Sequence, residues 1–335
     1  MKIKIGINGM GRIGRLVLRS IIEKNHKNIE IKHINNRTGP EIVSSLIKYD
    51  SVHGILNSKI HFKEDHIVIG KTKITFSQET KIENIRWNKY DVDIVFECSG
   101  KFNTKEKVIN HIKNGAKKVI VSAPCKNADK TIVYGVNEKE INKSDRIISA
   151  ASCTTNCLAP VADVLHNKFT IENGFMTTIH AYTSDQRIID NSHKDVRRAR
   201  SASQSIVPTS TGASKAIAEI IPSLKGKLEG IAMRVPVPNV SLVELVFNTK
   251  KTLTQKKINE AFEYASKRKL KGILDITSEK LVSIDFNHNS ASAIVDASLT
   301  NVIGIRMGKI SAWYDNEWGF SNRMCDIAKY IHKIS

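Results

Sequence analysis

An α/β half followed by an α+β half with a mostly antiparallel sheet is the fold class that the sequence predicts, and three observations carry it. Up to about Ser149, short apolar runs alternate with stretches of helical period. Beyond that point the apolar runs lengthen and few helical stretches intervene. The chain's 335 residues are enough for two medium-sized cores.

The elements follow in order. Lys2–Ile7 reads as a strand, Arg12–Glu23 has apolar residues at 13, 16, 17, 21 and 22 in helical spacing, and Ile29–Asn35 reads as the next strand. That is a βαβ unit, whose strands run parallel. His61–Ile69 and Thr72–Phe76, joined across Gly70-Lys71, predict an antiparallel hairpin set into this alternation. Val92–Cys98, Lys117–Ala123 and Arg146–Ala150 read as buried strands, with Thr104–Lys113 as a helix. In the second half, strands are predicted over Phe175–Tyr182, Ile231–Pro238, Ser241–Thr249, Ala291–Ala297 and Val302–Asp315. A closing helix, Gly319–Ile334, carries apolar residues at 320, 324, 327, 328 and 331. Residues 184–205 are polar, Arg-rich and without a sustained period, and a long irregular segment inside a compact domain is usually functional.

Composition narrows the function classes. A hydrophobic fraction of 41% and a charged fraction of 25% are ordinary for globular proteins. No stretch approaches the ~20 apolar residues of a membrane span, and the first residues enter a strand without the apolar run of a secretory leader, so a cytoplasmic protein is expected. Five scattered cysteines, at 98, 125, 153, 157 and 325, argue against a disulfide framework. Cys153 and Cys157 lack a second Cys or His pair, so no metal site is expected. The net charge of +19 permits affinity for nucleic acid, but the lysines are spread along the whole chain rather than gathered into one stripe.

Gly9-Met10-Gly11-Arg12-Ile13-Gly14 is a G-x-G-x-x-G pattern placed between the first strand and the first helix. There the glycines let the backbone turn tightly and approach a pyrophosphate, whose charge the helix N-terminus stabilises. This makes the first half a Rossmann dinucleotide-binding domain; the alternative is a plain strand-to-helix turn. The fingerprint expects an acidic residue near the end of the second strand, and Asn35-Asn36-Arg37 stands there instead. A carboxylate would repel a ribose 2′-phosphate by ~4 kcal/mol at ~4 Å and an effective dielectric of about 20. Its absence, with Arg37 adjacent, predicts use of NADP at least as readily as NAD; the other reading is that Asn36 simply hydrogen-bonds the ribose.

Ala151-Ser152-Cys153-Thr154-Thr155-Asn156-Cys157 opens an expected helix directly after a buried strand. A first-turn cysteine has its thiolate stabilised by the free amides, which predicts a lowered pKa and a nucleophile at Cys153. Cys157, one turn deeper, reads as a buried inert thiol. Such a nucleophile needs a base, and His180, in the apolar run Thr177–Tyr182, is a candidate. Spacing alone leaves open a purely structural histidine.

Several motifs together closely resemble phosphorylating glyceraldehyde-3-phosphate dehydrogenases: ASCTTN at 151–156, NGMGRIG at 8–14, the DQR…HKD…RRAR run through 185–200, VPTSTGA at 207–213, RVPVPNVS at 234–241 and WYDNEWGFSNR at 313–323. The resemblance covers the entire chain in order. It implies that Cys153 attacks an aldehyde, that His180 acts as base, and that inorganic phosphate opens the resulting thioester. It implies phosphate and substrate contacts from Ser152, Thr154, Thr183, Arg198, Thr211, Gly212 and Arg234, with Thr183 and Arg234 on the substrate's own phosphate and Arg198, Thr211 and Gly212 on the attacking one. On the cofactor side it implies Asn8, Gly9, Gly11, Arg12, Ile13, Gly14, Asn36, Arg37, Ser99, Ser122 and Asn316, while Met10 and Tyr314 are expected to supply shape and packing. Asn36 replaces the family's usual Asp, and Ser192 replaces the usual Pro before His-Lys-Asp. Both departures resemble the NADP-accepting, plastid-type branch. The resemblance further implies a Rossmann domain over 1–151 to which 316–335 returns, a catalytic domain over 152–315, and a homotetramer. The nearest enzymatic alternative is erythrose-4-phosphate dehydrogenase, whose acyl-enzyme is opened by water; a basic RNA-binding role is at most secondary.

Overall fold

The computed structural model describes residues 2–334. The chain divides into two compact units, one formed by Met1–Ile132, Glu138–Ser152 and Ser321–Ser335, the other by Val133–Asn137 and Cys153–Phe320.

In the first unit a nine-stranded sheet runs Lys130–Thr131, Ile147–Ser149, Lys118–Val121, Ile94–Glu97, Ile3–Asn8, Ile29–Asn35, Thr72–Ser77, His66–Ile69, Ile60–Lys63 from edge to edge. The first seven strands pair in parallel and the last two pairings are antiparallel. The hairpin expected around Gly70-Lys71 is present, with Gly70 at φ +59° where a left-handed turn favours glycine, but the single strand expected over His61–Ile69 is itself a hairpin, turned at the polar pair Glu64-Asp65. Ile94–Glu97 and Lys118–Val121 are buried at every residue, as strands covered on both faces must be. Helix Lys105–Lys113 buries Val108 and Ile112 in a cluster with Trp87, Val95 and Val119. Pro40–Lys48 is a helix that its period did not announce; Pro40 stands at its first turn, where the missing N–H costs nothing.

In the second unit an eight-stranded sheet runs Val207–Ser210, Leu228–Val235, Ile171–Ala181, Ser241–Thr249, Met307–Tyr314, Ala293–Asp296, Leu274–Thr277, with Asn301–Ile303 paired to Met307–Tyr314. Only the pairings Ile171–Ala181 with Leu228–Val235 and Leu274–Thr277 with Ala293–Asp296 are parallel. The single strand expected over Val302–Asp315 is instead a hairpin, turned at Gly304 with φ +60°. Apolar residues on both sides of that turn, Val302, Ile303, Ile305 and Met307, had made the run look continuous. Helix Cys153–Phe169 buries Cys157, Leu158, Val161, Ala162 and Leu165 and packs on strands Ser241–Thr249, Ala293–Asp296 and Met307–Tyr314. Residues 184–205 form neither helix nor strand, as expected.

Candidate active site

Ala151, buried and at φ +59°, turns the chain sharply out of strand Ile147–Ser149 and delivers Cys153 as the first residue of its helix. A non-glycine residue in that conformation is strained and persists only where its surroundings enforce it. Along strand Ile171–Ala181, Thr178 and His180 share one buried face because strand side chains alternate. This brings Nε2 of His180 to 3.4 Å from Sγ of Cys153.

Two contacts meet at His180 Nδ1: the Ala181 carbonyl, which can only accept, at 2.7 Å, and Nη1 of Arg234, which can only donate, at 2.8 Å. Nε2 is the ring nitrogen that faces the thiol. His180 and Arg234 are directly paired neighbours on parallel strands. Nη1 of Arg234 donates to the same Ala181 carbonyl at 3.0 Å and lies 2.8 Å from Nδ1, while its Nε is buried without a partner. A guanidinium with an unused buried N–H is ready for an anion. Burial, and then the charge of Arg234, drives His180 down to about 3, so the ring is neutral at physiological pH.

The thiol departs from the expectation. Burial pushes Cys153 above its ordinary value, and the pull of Arg234 and the Thr154 hydrogen bonds does not overcome that. The sequence argument counted the helix amides and omitted desolvation, which favours the protonated thiol; a thiol so held would need a proton acceptor beside it to react. Cys157 is fully buried, with its pKa raised well above the thiol range, as expected of an inert group.

Tyr314 does more than the packing expected of it. Its hydroxyl lies 2.9 Å from Oγ1 of Thr154 and 2.9 Å from Oγ1 of Thr178, tying the helical turn of Cys153 to the strand of His180. Its ring stands edge-on to His180 at 6.0 Å. Ser241 was also missed: its hydroxyl accepts from the Ala181 amide and donates to Oδ1 of Asn316, holding that amide in place. Ser241 closes the RVPVPNVS run at 234–241, but nothing in the run gave it a role, because a serine at a strand's start is unremarkable until its partners are known.

Arg198, half-buried, donates through Nε to Thr209 at 2.9 Å, through Nη2 to the carbonyl of Ser210, and through Nη1 to Asp185. That places it one residue from Thr211, whose hydroxyl accepts from the Ala213 amide, and Gly212, which caps helix Ala213–Ile220. Asp185 and Thr209 were not foreseen as its partners. Thr183 lies in the turn after His180's strand, its carbonyl accepting from Gln186.

In the first unit, Gly9 is at φ +92°, and a Cβ on Gly14 would lie 2.0 Å from the Gly9 carbonyl oxygen, so loop and helix meet where only hydrogen fits. Gly11 heads helix Arg12–Glu23 with no side-chain cap, no acidic residue in the first turn and open space at its missing Cβ. Those features fit a diphosphate at the helix's positive end. Arg12, however, holds Asp50 with both terminal nitrogens, at 2.6 and 3.1 Å. Burial pushes the Asp50 carboxyl up, but Arg12 and the amides of His53 and Val52 outweigh it and bring it to about 2. The Arg12 guanidinium is thus committed to a carboxylate. Asn36 accepts from the Met10 amide at 3.0 Å and donates to the Thr38 carbonyl, so it locks the glycine loop. Ser99 and Ser122 are half-buried, and Ser99 bonds Glu97 through both its amide and its hydroxyl. Ile13 is partly exposed, Arg37 is exposed without an ion pair among the described residues, and Ser192 is exposed in the irregular segment. Among the described residues no cluster of His, Cys, Asp or Glu could hold a metal, and all five thiols are free.

Comparison with known proteins adds independent findings. Residues 3–105 match the model of the glyceraldehyde 3-phosphate dehydrogenase NAD-binding domain, and residues 152–316 match that of the C-terminal domain. Glyceraldehyde-3-phosphate dehydrogenase 2 of Bacillus subtilis (strain 168) is 49% identical over 99% of this chain and 97% of its own length. Glyceraldehyde-3-phosphate dehydrogenase of Geobacillus stearothermophilus is 49% identical over 99% of this chain and 98% of its own, and that of Cereibacter sphaeroides is 49% identical over 100% of both.

Proposed function

This chain belongs to the glyceraldehyde-3-phosphate dehydrogenase family, and on that premise we propose that Cys153 and His180 carry out the oxidation of glyceraldehyde 3-phosphate to an acyl phosphate. The observation that carries the residue assignment is the 3.4 Å approach of the Cys153 thiol to Nε2 of a buried, neutral imidazole.

In the first step the thiol proton moves to His180 Nε2 as sulfur bonds the aldehyde carbon, and the ring hands that proton on to the former carbonyl oxygen, giving a hemithioacetal and restoring the neutral imidazole. Bound nicotinamide dinucleotide supplies the acceptor for the hydride that leaves that carbon. His180 then takes the hemithioacetal's hydroxyl proton, which leaves a thioester on Cys153. A phosphate oxygen attacks the thioester carbon, the C–S bond breaks, and the thiolate recovers its proton through His180. Arg234 and Thr183 are assigned to the substrate's phosphate, supported by the unused N–H of Arg234. Arg198, Thr211 and Gly212 are assigned to the attacking phosphate, with Ser152 and Thr154 flanking the thiol.

The dinucleotide is read as binding residues 1–151, with 316–335 belonging to that domain and 152–315 forming the catalytic one. The cofactor is of the NAD type. Dual use of NADP is our further reading, supported by the uncharged Asn36, the unpaired Arg37 and the exposed hydroxyl of Ser192. A cytoplasmic homotetramer, with residues 184–205 at its centre, completes the proposal.

Steady-state oxidation with NAD and NADP, with and without phosphate, tests all of this in the native chain and Cys153→Ser. Turnover that requires phosphate and vanishes with the thiol is expected. A preference for NAD of about a hundredfold, or ~2.7 kcal/mol, would remove the dual-cofactor reading. Retained turnover in Cys153→Ser would remove the mechanism.

A further inference from the structure

Glu97 is a carboxylate that no step of the chemistry uses, and it is 1% exposed at the carboxyl end of a central strand. Its two oxygens receive four donors. Oε2 accepts from Asn8 Nδ2 at 2.6 Å and from His111 Nε2 at 2.9 Å, and Oε1 accepts from the amide and the hydroxyl of Ser99. Behind it, Trp87 Nε1 reaches His111 Nδ1 at 2.9 Å. An indole only donates, so Nδ1 is the acceptor and Nε2 carries the proton given to Glu97. Trp87 and His111 are both fully buried.

The network continues forward. Asn8 Oδ1 accepts from Asn35 Nδ2, and Asn35 Oδ1 accepts from the Ser77 hydroxyl and the Glu79 amide. One connected set of buried and half-buried hydrogen bonds therefore joins the carboxyl ends of four neighbouring strands, Ile94–Glu97, Ile3–Asn8, Ile29–Asn35 and Thr72–Ser77. In a parallel sheet, ligands bind outside those ends. Ser99, fixed by Glu97, is also the residue on which the glycine loop seats: a Cβ on Gly9 would lie 2.6 Å from its Cα. A satisfied buried network rigidifies what it holds, and removing one member leaves the others without partners.

We propose that Glu97 is a positioning residue for dinucleotide binding, fixing Asn8 and Ser99, and through them the Gly9 turn, from a carboxylate anchored on His111 and Trp87. The proposal rests on the reading of Asn8 and Ser99 as cofactor contacts. Glu97→Gln puts an amide where four donors converge, so at least one of them loses its acceptor. The expected result is an NAD dissociation constant about tenfold higher, with kcat at saturating NAD and the KM values for aldehyde and phosphate unchanged. A purely structural residue would lower thermal stability and leave NAD affinity of the folded enzyme intact, and that outcome overturns the proposal. Should the variant not fold, the wild type decides: adding NAD must shift the Trp87 indole 1H–15N cross-peak, although Trp87 is fully buried, and an unmoved peak overturns the proposal equally. Failure of the wild type to bind NAD at all would instead remove the cofactor assignment beneath it.

Discussion

His180 is held neutral by two causes acting together: burial withdraws water from the imidazolium, and Arg234 places a positive charge beside Nδ1. Only the second can be removed without opening the site. In Arg234→Gln the pKa of His180 should therefore rise from about 3, read from the pH titration of its ring protons by NMR; no movement would mean that burial alone sets it. A substrate phosphate drawing Arg234 toward itself would act in the same direction, which makes the base stronger when substrate is present. Tyr314 offers a second test at this scale. Tyr314→Phe keeps the ring but leaves the Thr154 and Thr178 hydroxyls without their shared partner, a loss of about 1–3 kcal/mol in stability. A lowered kcat should accompany it, because the nucleophile's turn and the base's strand lose their tie. An unchanged urea midpoint with unchanged kcat would return Tyr314 to simple packing.

At the scale of the element, the glycine loop and the first helix behave as one device with two kinds of glycine in it. Gly14 is a packing requirement, since a Cβ would stand 2.0 Å from a backbone oxygen that cannot move independently. Gly11 has open space, and its φ of −69° suits any residue. Gly14→Ala should therefore destabilise the fold by about 1–3 kcal/mol, seen as a lowered Tm. Gly11→Ala should leave Tm within a degree or so of wild type while weakening NAD binding, because the methyl enters the space before the helix terminus. Equal effects of the two substitutions on Tm would contradict this division. The motif's spacing revealed that three glycines mattered; it did not distinguish close packing from ligand access, because that depends on what faces each α-carbon.

For the molecule as a whole, the buried imidazole makes stability depend on pH. The unfolded chain binds a proton on His180 near 6.5, the folded chain only near 3. Between those values the unfolded state carries more protons, so stability rises with pH across that window and is lost as pH falls through it. The slope approaches about 1.4 kcal/mol per unit for this one group. Urea unfolding at successive pH values, in the native chain and in His180→Asn, should show that component present in the first and absent in the second. Among the described residues no helix is long and apolar enough to cross a membrane, in line with the absence of a long apolar run in the sequence.

The sequence alone determined the alternation of strands and helices in the first half, the change of texture after Ser149, the glycine fingerprint and the place of Cys153 at the start of its helix, while spacing left its pairing with His180 open. These are local patterns, and periodicity or motif spacing records them directly. Tertiary structure decided the rest, because it depends on which distant residues meet. The turn at Gly304 lay hidden inside a continuous apolar run. Glu97, His111 and Trp87 carry no shared motif, and Tyr314 gained its hydroxyl partners only when Thr154 and Thr178 were folded beside it. The resting state of Cys153 turned on the same difference: helix amides are legible from position in the sequence, whereas desolvation is a property of the packed surroundings, and here desolvation is the larger effect.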